Sequence, residues 1–79
     1  MNNRMTYDPY AAEHAKETNT EGQYAYLVAQ LCGGIMEDPD LYYSNYQIIN
    51  ANSACEARKK YNEINDCEYY YGSVIKRLN

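Results

Sequence analysis

The sequence predicts a small α+β domain of α-β-β-α-β order. Its sheet is three-stranded and mainly antiparallel, with one helix packed on one face and a short N-terminal helix. Three observations carry this. Residues 23–32 alternate in side-chain character with the period of a strand, and turn-forming residues join them to 41–51 as the return strand. Ser53-Ala54-Cys55-Glu56 has the spacing of a capping box, the local signal of a helix start. After the stop signal Asn65-Asp66, residues 68–78 are rich in tyrosine, valine and isoleucine, which suit a strand.

The 79 residues form one domain, 1–79, with 1–6 expected as a frayed tail. Asp8-Pro9 then opens a helix, Asp8 as N-cap and Pro9 at the first helical position, where no N–H is missed. Residues 9–18 are rich in alanine, glutamate and lysine, so a short peripheral helix is predicted there, with 18–22 as its exit loop.

In the first strand Ala25, Leu27, Ala29 and Leu31 share one side, and Tyr24, Tyr26, Val28 and Gln30 the other. The small residues of the first set are expected to lie under the capped helix, leaving Tyr24 and Tyr26 to face outward. Gly33-Gly34 marks a bulge or bend, Ile35-Met36 resumes the strand, and Pro39 suits the second position of a type I turn. The return strand, 41–51, completes a long antiparallel hairpin.

The capped helix is predicted to run to about Asn65, with Ala54, Ala57, Tyr61 and Ile64 on its apolar stripe and Arg58, Lys59 and Lys60 mainly off it. Because it connects two strands as a crossover, those strands run parallel to each other. The first strand is antiparallel to both and belongs between them.

Composition narrows the function. Eleven tyrosines stand in a chain without phenylalanine or tryptophan, and Leu, Ile and Val together number only eleven. A tyrosine ring buries well, but its hydroxyl needs a partner or water, so the residue suits surfaces that are dry on one side and wet on the other. On alternating strands about half of the tyrosines point away from the main helix. They either fill a second small core under the first helix or form an interface, with a foreign partner or with a second copy of the chain. Tyr42, Tyr43, Tyr46, Tyr69 and Tyr71 are the expected anchors. The acidic turn Glu37-Asp38-Pro39-Asp40 supplies Glu37, Asp38 and Asp40 as a rim for a basic partner; its other reading is a solvated turn.

The net charge of −4 disfavours bulk attraction to nucleic acid or anionic membrane. Arg58, Lys59, Lys60, Lys76 and Arg77 form the one basic cluster, and with stacked tyrosines it defines the alternative of a single-stranded nucleic-acid-binding module. A structural homo-oligomer is the other alternative. No apolar run approaches a membrane span, and the N-terminus lacks a signal peptide's apolar core, so a cytoplasmic location is expected. Cys32, Cys55 and Cys67 are too few and too scattered for a disulfide framework and are expected as reduced, packed thiols. With His14 as the sole histidine and no Cys-x-x-Cys, neither a metal site nor a cofactor is expected, and nothing local activates a nucleophile. An enzyme is not predicted.

One stretch carries a resemblance. It runs Tyr46-Gln47-Ile48-Ile49-Asn50-Ala51-Asn52-Ser53, then Glu56-Ala57, Lys60-Tyr61-Asn62, and Tyr69-Tyr70-Tyr71-Gly72-Ser73-Val74-Ile75. This strand–Ser-x-x-Glu-Ala–helix–strand unit resembles one found in many small proteins of bacteriophages and mobile elements. Some of those are host-takeover factors, anti-CRISPR and anti-restriction inhibitors among them. The resemblance implies a non-enzymatic protein that binds a host defence complex in the host cytoplasm, and it assigns no individual functional residue.

Overall fold

The computed structural model describes residues 8–34, 36–37, 40–67 and 72–79. The chain forms helix α1 (Ala11–His14), strands β1 (Lys16–Glu17), β2 (Tyr24–Cys32) and β3 (Tyr42–Ala51), helix α2 (Ala54–Asn65) and strand β4 (Gly72–Arg77). The sheet order is β1-β3-β2-β4. As the crossover argument requires, β2 lies between β3 and β4 and is antiparallel to both. The sheet nevertheless has four strands, not three, and is mixed, because β1 joins its edge parallel to β3.

That extra strand replaces the second half of the expected first helix. Asp8 is not the N-cap: Tyr10 holds that position without a side-chain capping bond, Asp8 Oδ1 accepts from the Tyr10 N–H at 2.9 Å in the turn before it, and the helix lasts only four residues. An isolated helix of ten residues is marginal in water, and here β3 offers the backbone better partners. The Thr18 N–H and hydroxyl both donate to the Ile48 carbonyl, at 3.2 and 2.7 Å. Thr20 Oγ1 accepts from the Asn50 N–H at 2.7 Å, and the Thr20 carbonyl accepts from Asn50 Nδ2 at 3.1 Å.

Helix α2 runs as the sequence indicates. Ser53 Oγ accepts from the Glu56 N–H at 3.2 Å. Glu56 reaches one residue further back than the motif implies, accepting from the Asn52 N–H at 3.4 Å. Asp66, with φ 51° and ψ 52°, closes the helix by donating its N–H to the carbonyls of Asn62 and Glu63. Lys60 holds this end of the fold together: its ammonium pairs with Glu56 at 3.0 Å and donates to the carbonyls of Asn50, at 3.0 Å, and Glu21. The Lys60 hydrogen bond is also the main reason the Glu56 carboxyl titrates below its ordinary range.

The helix covers the opposite face of β2 from the one expected. Tyr26, Val28, Ile49, Ala51, Ala57 and Tyr61 form the core beneath α2, with Tyr24, Cys67 and Val74 packed against it. Tyr24 and Tyr26 therefore face inward, edge to face at 6.4 Å between ring centroids, and the Arg77 guanidinium lies 4.6 Å over the Tyr24 ring. Close approach of helix to sheet is provided not by Ala25, Leu27 and Ala29 but by Ala51, Ala57 and Gly72. A Cβ on Gly72 would lie 2.5 Å from Cδ1 of Tyr61. Leu27 and Ala29, on the other face, are also fully buried, as is Ala11 of α1. Full burial of side chains such as Leu27, Val28 and Ile49 contributes about 1.5–3 kcal/mol each. On α2 the expected stripe is only half used: Ala57 and Tyr61 are buried, whereas Ala54 and Ile64 are exposed.

Two irregularities flank Val28. It pairs with Gln47, while Gln30 pairs with Ser44, so β3 carries an extra residue there, and Asn45 takes φ 54°. On the other side Leu27 pairs with Lys76 and Val28 with Val74, leaving Ile75 as the extra residue of β4. The bulge at Asn45 turns its side chain toward α2 and leaves Tyr46 toward α1, where its hydroxyl accepts from the Asp8 N–H at 3.2 Å.

Candidate functional site

Of the residues singled out for binding, the β2–β3 connection carries Glu37 and Asp40, and Tyr42 opens the strand that follows it. Strand β2 ends where Gly33 and Gly34 take φ 90° and 82°, so the glycine pair bends the chain out of the strand. Gly33 sits tightly against the returning chain: a Cβ there would lie 1.9 Å from the Asp40 carbonyl oxygen. Cys32 pairs with Tyr42 just below this neck. Met36 belongs to no strand, so the expected resumption at Ile35-Met36 fails at Met36; Ile35, Asp38 and Pro39 lie outside the described residues.

Beyond the neck the surface is apolar with an acidic border. Met36 is 96% exposed, Leu41 51% and Tyr42 46%, and Glu37 and Asp40 are exposed beside them. Only two other large apolar residues among those described, Tyr10 and Ile64, are exposed to a similar degree. Three of the five exposed large apolar residues among those described thus lie around this one loop; single exposed apolar side chains are ordinary, clustered ones less so.

Two more expected anchors adjoin the tip along β3. Tyr43 and Tyr46 are half-buried, their ring centroids 6.5 Å apart. Tyr43 shares the Leu31 side of the sheet, opposite to Tyr42, which shares the Cys32 side. Thus Tyr42 and Tyr43 flank the sheet instead of forming one flat tyrosine surface. Tyr46 is tied to α1 through Asp8 and serves the fold at least as much as a surface. Tyr69, Tyr71 and Asp38 lie outside the described residues. Met36 and Leu41 were not singled out by the sequence argument; their signal was the presence of large apolar side chains on either side of a charged turn.

Other constellations are less coherent. Lys60 of the basic cluster is engaged by Glu56 and two backbone carbonyls, and Arg77 lies over Tyr24, so these two cations serve packing rather than a continuous track. His14 Nε2 is 3.2 Å from Asp8 Oδ2 at an exposed site. Among the described residues no group of three or more His, Cys, Asp or Glu side chains is placed to hold a metal ion. The thiols are unpaired with one another; Cys32 Sγ lies 3.1 Å from Ser44 Oγ, and burial, with Asp66 nearby, pushes the Cys67 thiol up. Also among the described residues, no helix is long and apolar enough to cross a membrane.

Comparison with protein-family models, with curated proteins and with solved structures finds no match to this chain.

Proposed function

We propose that the protein acts by stoichiometric binding to another protein, with the β2–β3 tip as its contact surface. The observation that carries this reading is the grouping of exposed Met36, Leu41 and Tyr42 beside the exposed carboxylates of Glu37 and Asp40. Apolar side chains at the centre supply contact energy, and a charged rim steers and orients the encounter. The fitting partner is a protein surface with an apolar pocket bordered by lysine or arginine. Basic surfaces of that kind line nucleic-acid channels. Together with the resemblance to phage host-takeover proteins, this favours an inhibitor of a host defence nucleoprotein complex, of the anti-CRISPR kind, acting in the host cytoplasm and requiring no cofactor.

The test compares the wild type with Leu41→Ala/Tyr42→Ala and Glu37→Lys/Asp40→Lys variants. Each is titrated into a reconstituted host defence nuclease while target cleavage is followed. Inhibition by the wild type should reach its end point at a fixed molar ratio. Both variants should stay folded and lose inhibition, and the charge variant should lose its salt dependence too. Equal potency of all three proteins would remove the tip from the function.

A further inference from the structure

Strand β3 is pinned unevenly along its length. From Gln47 to Ala51 every second residue is buried, and from Tyr42 to Tyr46 none is. Strand register is strongly specified where one face is buried and weakly where neither is. The pairing changes where the burial does. On one side of Asn45 it sets Leu27 against Ile48 and Val28 against Gln47; on the other it sets Gln30 against Ser44, Leu31 against Tyr43 and Cys32 against Tyr42. Continued without the bulge, the first register would set Gln30 against Asn45, Leu31 against Ser44 and Cys32 against Tyr43. The bulge therefore decides which face of the sheet each of residues 42–44 occupies. Two contacts depend on it. Cys32 Sγ lies 3.1 Å from Ser44 Oγ, and the Tyr43 and Tyr46 rings meet, although residues three apart point to opposite faces of a regular strand.

Helix α2 holds the bulge. Asn45 takes φ 54°, in the left-handed region that a residue with a Cβ adopts at a cost. Its carbonyl accepts from the Tyr61 hydroxyl at 2.8 Å, its Nδ2 donates to Asn65 Oδ1 at 3.0 Å, and its Oδ1 accepts from Gln47 Nε2 at 3.3 Å. Tyr61 and Gln47 are themselves buried, so these anchors are fixed by packing. We infer that Asn45 is a latch between two registers of β3. While α2 holds it, the bulge persists and Tyr42 shares a face with Cys32. Once it is released, residues 42–44 slip by one position into the flat register and Tyr42 and Tyr43 exchange faces. The connection to β2 then gains one residue, at little entropic cost. The β2–β3 tip thus has two surfaces, and the C-terminal turn of α2 selects between them. That selection is a property of β3 and α2 alone, whatever the tip binds.

Cross-strand disulfide formation reads the register on the full chain, because directly opposed residues lie within the Cα separation that a disulfide spans. In a Cys55→Ser/Cys67→Ala background, Cys32 is oxidised against a thiol introduced by Tyr42→Cys or by Tyr43→Cys, and the two rates are compared. With Asn45 in place the Tyr42→Cys protein should close faster by about tenfold or more. Asn45→Val should reverse the order, since a branched side chain opposes the left-handed conformation and favours a strand. Asn65→Ala removes an anchor, leaves residue 45 unchanged, and should shift the ratio the same way by about tenfold. Asn45→Gly, at ease with positive φ, should keep the original order. Loosening of the whole fold brings the two rates together without reversing them, and circular dichroism reports it separately. If Asn45→Val costs the fold, Asn65→Ala decides. The latch is ruled out if folded Asn45→Val protein still closes first through position 42, if the two rates only converge, if Asn65→Ala leaves the ratio unchanged, or if Asn45→Gly reverses it.

Discussion

Gln47 of β3 and Asn65 of α2 form a closed pair of side-chain amides. Gln47 Nε2 donates to Asn65 Oδ1 at 2.9 Å, and Asn65 Nδ2 donates back to Gln47 Oε1 at 3.1 Å. The pair is extended on both sides. Asn45 Nδ2 also donates to Asn65 Oδ1, at 3.0 Å, and Asn65 Nδ2 donates to the Tyr61 carbonyl at 2.8 Å. Gln47 is only 3% exposed and is the one polar residue among the described buried set. The network thus locks the bulged segment of β3 to the C-terminal turn of the main helix, close to where β3 continues into the tip.

Breaking one side of this pair should cost more than removing both. Asn65→Leu leaves the Gln47 amide buried without its two best partners, and a loss of about 1–3 kcal/mol in urea unfolding is expected. The double variant Gln47→Leu/Asn65→Leu should lose less than the sum of the two single variants, because no orphaned amide remains. Strict additivity would show that the two amides act independently.

Tyr61 gives the protein an alkaline limit. Burial, the largest cause, raises its hydroxyl from the ordinary value near 10 to about 12, while the hydroxyl donates to the Asn45 carbonyl at 2.8 Å. The folded state holds the proton that the unfolded chain releases near 10. Stability from this group is therefore complete below pH 10 and falls as pH rises from about 10 to about 12. Tyr61→Phe should lower stability at neutral pH by about 1 kcal/mol and make the decline above pH 10 shallower. Denaturant midpoints measured across that range for both proteins check the sign; an unchanged slope would mean that other tyrosines dominate.

The fold's legibility divided along physical lines. Ser53 and Asp66 act through neighbours a few residues away, so the limits of α2 were readable, and the crossover argument alone set β2 between β3 and β4. Alternation in β2 showed which residues share a face but not which face α2 covers; with Leu27, Val28 and Ala29 all fully buried, burial itself does not discriminate. Helix propensity over residues 9–18 was overridden by hydrogen bonds to β3, whose partners lie about thirty positions on in sequence. At the site, the acidic residues flanking Pro39 marked a tip, but nothing local told that Tyr42 would be open and Tyr46 fastened to Asp8. The Gln47–Asn65 pair, eighteen residues apart, left no pattern at all.

Gly72 should tolerate no side chain. It is buried, and a Cβ would meet the fully buried Tyr61 ring at 2.5 to 3.2 Å. The ring is held on its far side by the hydroxyl's bond to Asn45 and cannot shift freely. Gly72→Ala is expected to destabilise by about 1–3 kcal/mol, the usual range for overpacking a filled core. A Gly72→Ala/Tyr61→Leu protein should recover part of that loss relative to Tyr61→Leu alone, where the added methyl has room. If Gly72→Ala alone unfolds at the wild-type denaturant concentration, the ring is free to move.

Thiol labelling reads the same packing from another side. Cys55 is exposed on the first turn of α2, Cys32 is half-buried beside Ser44, and Cys67 packs against the α2 core. Burial and the neighbouring Asp66 carboxylate both disfavour the Cys67 thiolate, the reactive form. With an aromatic disulfide reagent near neutral pH, Cys55 should react first and Cys67 last, and in denaturant the three rates should converge. Single-cysteine variants assign each phase. If Cys67 reacted as fast as Cys55 in the native protein, the turn at Asp66 would open readily, and the hold of Asn65 and Gln47 on that end of the helix would be weaker than their geometry implies.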